Sequence, residues 1–153
     1  MRKLECLIPP PVVFALCAGL MWLVAQYFEP VHLPQPYALW AMWGLIALGV
    51  LLDFSSIMEF LKERTTINPI RVEKATALIT SGFYRISRNP MYSGLAVWLG
   101  AWAIYLQVLE SAAVIVLFMI YITRFQIIPE ERVMARQFGD KYLAYTHQVR
   151  RWL

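Results

Sequence analysis

NPMYSGLAVWLGAWAIYLQVL, residues 89–109, runs for 21 residues without a formal charge. A helix needs about 20 apolar residues, with a range of about 17–25, to cross the hydrocarbon core of a bilayer. The stretch also opens as a helix should. Pro90 has no N–H to leave unpaired in a first turn, and Asn89 stands where an N-cap belongs. Outward from it, Ser111 to Thr123 adds 13 uncharged residues, and the apolar run reaches Pro129 if Arg124 is allowed inside. On the N-terminal side, Cys6 to Phe28 and Pro30 to Leu52 are each 23 residues without charge. The spacing predicts four membrane spans, at about residues 11–28, 37–58, 90–107 and 111–128. The last two form a helical hairpin turning near Gln107 to Ser111.

Composition agrees. The chain of 153 residues is 59% hydrophobic and 16% charged, with a mean hydropathy of +0.53. A soluble domain has about 45–50% apolar and about 25% charged residues. Disorder is excluded by the apolar excess, and a disulfide scaffold by having only two cysteines, Cys6 and Cys17, for which no pairing is expected. One apolar stretch could be the core helix of a soluble protein. Four of them leave no polar mass to cover that core. The reading is a single all-α integral membrane domain over residues 1–153.

The 14 Lys and Arg residues set the orientation. Arg2 and Lys3 precede the first span. Lys62, Arg64, Arg71, Lys74, Arg85 and Arg88 lie between the second and third. Arg124, Arg132, Arg136, Lys141, Arg150 and Arg151 end or follow the fourth. The other two connections carry none, so the positive-inside rule puts both termini and the long middle loop in the cytoplasm. Met1-Arg2-Lys3 before an apolar run resembles the opening of a signal peptide, but Pro9, Pro10 and Pro11 interrupt it and no small-residue cleavage site follows. The first span is therefore read as retained. The second span continues as helix past Asp53 toward Arg64.

The remaining polar residues gather in two cytoplasmic segments, 62–92 and 124–153. They are too long to be mere linkers, and the chain has no Gly-x-Gly-x-x-Gly for a Rossmann site. In the first, Gly82 permits a turn ahead of Tyr84. A capped helix with Arg85 and Arg88 on lipid headgroups would explain part of it. In the second, Pro129 with Glu130 and Glu131 reads as the start of a new helix, and Gly139 as its stop. The residues beyond Gly139 are tyrosine-rich and basic, as an amphipathic helix on anionic lipid would be. Two acids at the end of an apolar span serve either the helix dipole or a function.

Taken together, Gly82-Phe-Tyr84, Arg88-Asn89-Pro90-Met91-Tyr92-Ser-Gly94, Glu130-Glu131 and Phe138-Gly139-Asp-Lys-Tyr142-Leu-Ala-Tyr145 resemble the motifs of the isoprenylcysteine carboxyl methyltransferase and phospholipid methyltransferase superfamily, closest to its small bacterial members. Thr65-Thr-Ile-Asn-Pro69 adds to the likeness, which covers about residues 65–153. The resemblance implies a methyltransferase that binds S-adenosyl-L-methionine without a Rossmann fold and releases S-adenosyl-L-homocysteine, at the cytoplasmic face of a bacterial inner membrane. It implies cofactor contacts from Thr76, Ala77, Leu78, Ile79, Tyr84, Asn89, Pro90, Met91, Tyr92 and Glu130. Glu130, Arg124 and Tyr92 are the candidates for the reacting centre. No metal and no nucleic acid are expected. The implied partners are the bilayer and a lipophilic or lipid acceptor carrying a carboxylate, amine or thiol, with the oligomeric state left open. Two positions depart from the pattern. Asn89 stands where many members have His, which removes a titrating group. Gln126 stands where eukaryotic members carry an acceptor-linked arginine, which weakens a prenylcysteine carboxylate as the acceptor. The alternative is a small transporter subunit or scaffold, which expects polar residues lining a path within the spans.

Overall fold

The computed structural model describes residues 5–63 and 76–153. The Thr65–Pro69 motif, Arg64, Arg71 and Lys74 lie outside the described residues. Six α-helices account for most of the described chain: α1 Pro10–Val24, α2 Gln35–Lys62, α3 Pro90–Leu106, α4 Ala113–Ile122, α5 Ile128–Phe138 and α6 Asp140–Gln148. No strand occurs among the described residues beyond an isolated bridge between Ser87 and Arg150.

Helix starts follow the prolines. Pro10, Pro36 and Pro90 each sit at the first or second helical position, where a missing N–H costs nothing. The α3–α4 hairpin turns where expected, on Gln107 in the left-handed region at φ 55° and a 3-10 turn over Leu109–Ala112. Gly139, at φ +52°, separates α5 from α6.

Two expectations need correction. Pro129 does stand in the first turn of α5, with Glu130 and Glu131 beside it as expected, but α5 runs on from the helix before it rather than starting anew. Leu109–Phe138 is one helix of 30 residues, carried through residues 123–127 as a π-helical segment. A proline inside a helix takes away the N–H owed to the carbonyl four residues earlier, and a π-bulge is one way to absorb the misfit. Here that carbonyl is Phe125 O, and the backbone N–H of Cys6 bonds to it instead at 2.9 Å. The N-terminal segment is thereby stitched to the π-bulge, and Arg132 adds to the stitch by donating to both oxygens of Glu5. That bonding holds the Glu5 carboxyl below its ordinary range. The second correction concerns the first span, which is helical only to Val24 rather than 28.

Two helices, Gln35–Lys62 and Leu109–Phe138, are long and apolar enough to cross a membrane. At 1.5 Å per residue they measure about 42 and 45 Å, while α1 and α3 reach only about 22 and 26 Å. The core lies between α1, α3 and α4, around Val13, Met21, Leu99, Val114, Phe118, Ile122 and Ile127. Trp102 ties α3 to α1 through an indole N–H donated to Ala18 O at 3.1 Å. α2 packs along α3 and leaves its other face bare: Tyr37, Trp40, Trp43 and Phe54 are 60–78% exposed. So large an apolar face is unsuited to water and suited to lipid.

Gly49 makes the α2–α3 approach possible. A Cβ there would sit 1.8 Å from Trp98 Cδ1. Gly49→Ala should cost about 1–3 kcal/mol, as overpacked sites do. Gly44→Ala, on the same helix with open space around it, should cost nothing. Thermal unfolding in detergent separates the two, and equal melting temperatures would refute the close approach.

Candidate active site

The two polar segments meet on one cavity of about 430 Å³, within the usual range for small-molecule sites of about 300–1,000 Å³. α2 supplies Asp53, Ile57 and Phe60. The stretch before the 3-10 turn Gly82–Arg85 supplies Ala77, Leu78 and Ile79, and the turn itself Tyr84. That stretch is pinned to α2 by Glu59, which accepts from Ser81 Oγ and, at 2.7 Å, from Lys62 Nζ. Gly82, at φ +57°, packs against the same Glu59 side chain.

The start of α3 brings Asn89, Met91 and Tyr92 to the cavity, and α5 brings Glu130 and Glu131. Tyr92 Oη donates to Glu130 Oε1 at 2.6 Å, and Gln126 Nε2 donates to the same oxygen at 2.7 Å. The second oxygen of Glu130 receives no bond from a described residue. Glu131 is differently engaged. It accepts from Arg151 Nε and Nη2 at 3.0 and 2.8 Å, and Arg88 Nη2 stands 3.3 Å away. Arg88 Nε is buried and has no hydrogen-bond partner among the described residues.

The C-terminal residues clasp this arrangement. Arg150 O accepts from the Arg88 N–H at 2.8 Å. Arg151 O accepts from Asn89 Nδ2 at 2.9 Å and from Ser87 Oγ at 3.3 Å. Trp152 donates to Thr123 Oγ1 at 3.1 Å. Asn89 is therefore no side-chain cap for α3: its amide group bonds to the C-terminal segment, while its carbonyl accepts from Ser93. α6 closes the far side with Tyr142 and Tyr145. Tyr145 Oη donates to Tyr84 O at 2.6 Å. Burial raises all three phenols above their ordinary range, Tyr142 to about 12, so they remain neutral donors near pH 7.

Of the residues expected at the site, Ala77, Leu78, Ile79, Tyr84, Asn89, Met91, Tyr92 and Glu130 line the cavity. Pro90 is buried in the first turn of α3 behind them, and Thr76 is exposed at the edge of the described stretch. Arg124 does not line it. Its guanidinium pairs with Glu5 at 3.7 Å and lies over the Phe125 ring. Asp53, Arg88, Glu131, Tyr142 and Tyr145 line the cavity without having been expected in the site. Four of them sit inside the family-like motifs, so their positions were visible. Asp53 showed only as a charge ending an apolar run.

This arrangement defines a class: apolar helices, two of them long enough for a bilayer, with a polar-edged cavity where their ends meet. Comparison with known proteins then fixes the family. Residues 37–141 match the phospholipid methyltransferase family, and the chain belongs to it. It is 32% identical over 109 residues to protein-S-isoprenylcysteine O-methyltransferase B of Arabidopsis thaliana, covering 69% of this chain and 53% of that protein. The A form from the same plant gives 32% over 108 residues with the same coverage. A protein of Haemophilus influenzae described only as uncharacterized is 38% identical over 63 residues, which is 41% of this chain and all of that protein. The chain thus spans about half the length of the two plant methyltransferases.

Proposed function

We propose that the chain transfers a methyl group from S-adenosyl-L-methionine to a lipophilic acceptor in the cavity between α2, α3, α5 and α6. One observation carries the reading: four motifs, spread over more than sixty residues of sequence from Gly82 to Tyr145, converge on a single cavity. A scaffold or transporter subunit gives that convergence no purpose.

The residues present fit the cofactor. Its ammonium would be met by the Glu130 oxygen that no described residue engages. Its carboxylate would be drawn toward the Arg88 guanidinium on the cavity wall and toward the N-terminal end of α3, where an anion is favoured. The apolar walls of Ile79, Phe60 and Tyr84 suit its adenosine. When bound, the cofactor supplies a methyl already activated by the sulfonium charge. What remains for the protein is to align the reactants and keep water out. Tyr92 and Gln126 hold the Glu130 carboxylate in place for that task, and the tyrosines of α6 wall the site from solvent.

The family and the bare apolar faces support four spans, with both termini and the cavity at the cytoplasmic side of a bacterial inner membrane. The distribution of Lys and Arg supports that orientation. Calorimetric titration of the detergent-purified chain with S-adenosyl-L-methionine tests the central claim. Saturable binding is expected, and its absence at millimolar cofactor would overturn the reading.

A further inference from the structure

Neither Glu5 nor Cys6 lines the cavity, yet both hold the stretch of chain that presents Glu130 to it. Cys6 donates its backbone N–H to Phe125 O at 2.9 Å, within the π-helical residues 123–127. Glu5 grips a longer piece. Its carboxylate accepts from Arg132 at 3.1 and 3.2 Å and pairs with Arg124 at 3.7 Å. One side chain, 15% exposed, thus ties a residue of the bulge to a residue in the early part of α5. Gln126 and Glu130 lie between those two arginines in sequence.

The bulge makes that double grip possible. A regular α-helix turns about 100° per residue, so residues eight apart stand about 80° apart around the axis. A π-bulge takes up one extra residue, about 100° of rotation, and brings Arg124 and Arg132 to within about 20° of one another. Without the extra residue, the start of α5 would turn by about 100° relative to α4. Glu130 would then leave Tyr92, which donates to it at 2.6 Å on the cavity wall. The hook therefore favours the register in which Glu130 faces the cavity. Cys6 takes φ 54° to make it, a left-handed conformation that a non-glycine residue holds only where its surroundings impose it.

We propose that Glu5 is a positioning residue: by gripping Arg124 and Arg132 it fixes the rotation of α5, and so the aim of Glu130 at the cofactor. This rests on the methyltransferase reading. Pro129 alone does not set the rotation, since it removes a hydrogen bond without choosing what replaces it.

The test is calorimetric titration of the full chain in dodecylmaltoside with S-adenosyl-L-methionine, reading Kd and stoichiometry separately. Glu5→Gln keeps the size and removes the charge. Its Kd should rise roughly five- to tenfold at wild-type stoichiometry. Arg132→Gln should act in the same direction, and the two changes together should be little worse than Glu5→Gln alone, since both break one contact. In a Glu130→Gln background the Glu5 change should cost less than about twofold, because no aimed carboxylate is left to misplace. Glu29→Gln, an exposed acid between α1 and α2, should match wild type. A stoichiometry that falls at unchanged Kd would mean that Glu5 only keeps the chain folded, and overturns the proposal. So does a loss that persists in full when Glu130 is already changed. Should Glu5→Gln yield no folded protein, Arg132→Gln carries the same two readings. Wild type that binds no cofactor sinks the methyltransferase reading and this proposal with it. Wild type that binds, with Glu5→Gln equal to it, sinks the proposal alone.

Discussion

Glu130→Gln should leave the fold intact and remove most of the affinity for S-adenosyl-L-methionine. Both hydrogen bonds to Glu130 end on Oε1, and a glutamine carbonyl can accept from Tyr92 and Gln126 in the same geometry. The change falls on the second oxygen. A carboxylate oxygen becomes an NH₂ donor, and a group that attracted the cofactor's ammonium now repels it. Hydrogen bonds to charged groups are worth about 1.5–3 kcal/mol, so affinity should fall roughly ten- to a hundredfold. The melting temperature in detergent should stay near that of wild type. Unchanged affinity by calorimetry would mean that Glu130 does not face the cofactor and that the polar end of the cavity has been misassigned.

Much of this arrangement is legible in the sequence, for reasons that can be named. Uncharged runs of span length report the apolar helices directly, because lipid and a packed interior impose the same demand on every exposed side chain of a helix. The hairpin is equally local, since Gln107 to Ser111 is the polar interruption between two such runs. The motif residues Tyr84, Asn89, Tyr92 and Glu130 were legible as a group although their meeting is a tertiary fact. Three features were not. Pro129 followed by two acids is the pattern of a helix start. The start it marks brings no break from the preceding helix, because the Cys6 N–H, 119 residues from Phe125 in sequence, satisfies the Phe125 carbonyl that Pro129 abandons. Arg124 is the basic residue nearest the paired acids on the side of the span, yet its helix face turns it to Glu5. Arg151 read as a lipid anchor in a basic tail. Only the fold shows that the tail returns to the turn before α3.

That return makes Glu131 the second acid with a large effect, by a different route. Its carboxylate accepts two bonds from Arg151 and stands against Arg88, and the same segment of chain bonds to Arg88 and Asn89 through its carbonyls. Arg88 is largely shielded, with a side chain 13% exposed, so it depends on Glu131 for its counter-charge. Removing one partner of a fully buried pair costs about 3–5 kcal/mol, and partial solvation here reduces that to about 2–3 kcal/mol for Glu131→Gln. Arg151→Met should cost less, because Arg151 is 37% exposed and water replaces part of what is lost. The double variant should be clearly less damaging than the two single costs added together, since both changes break one contact. Unfolding in detergent, followed by tryptophan fluorescence, gives all three values. Costs that add to within about 0.5 kcal/mol would show that the two residues act independently and that no clasp exists. Cofactor affinity, measured well below the melt, should fall less for Glu131→Gln than for Glu130→Gln. One acid then faces the ligand, and its neighbour in sequence holds together the wall on which the ligand rests.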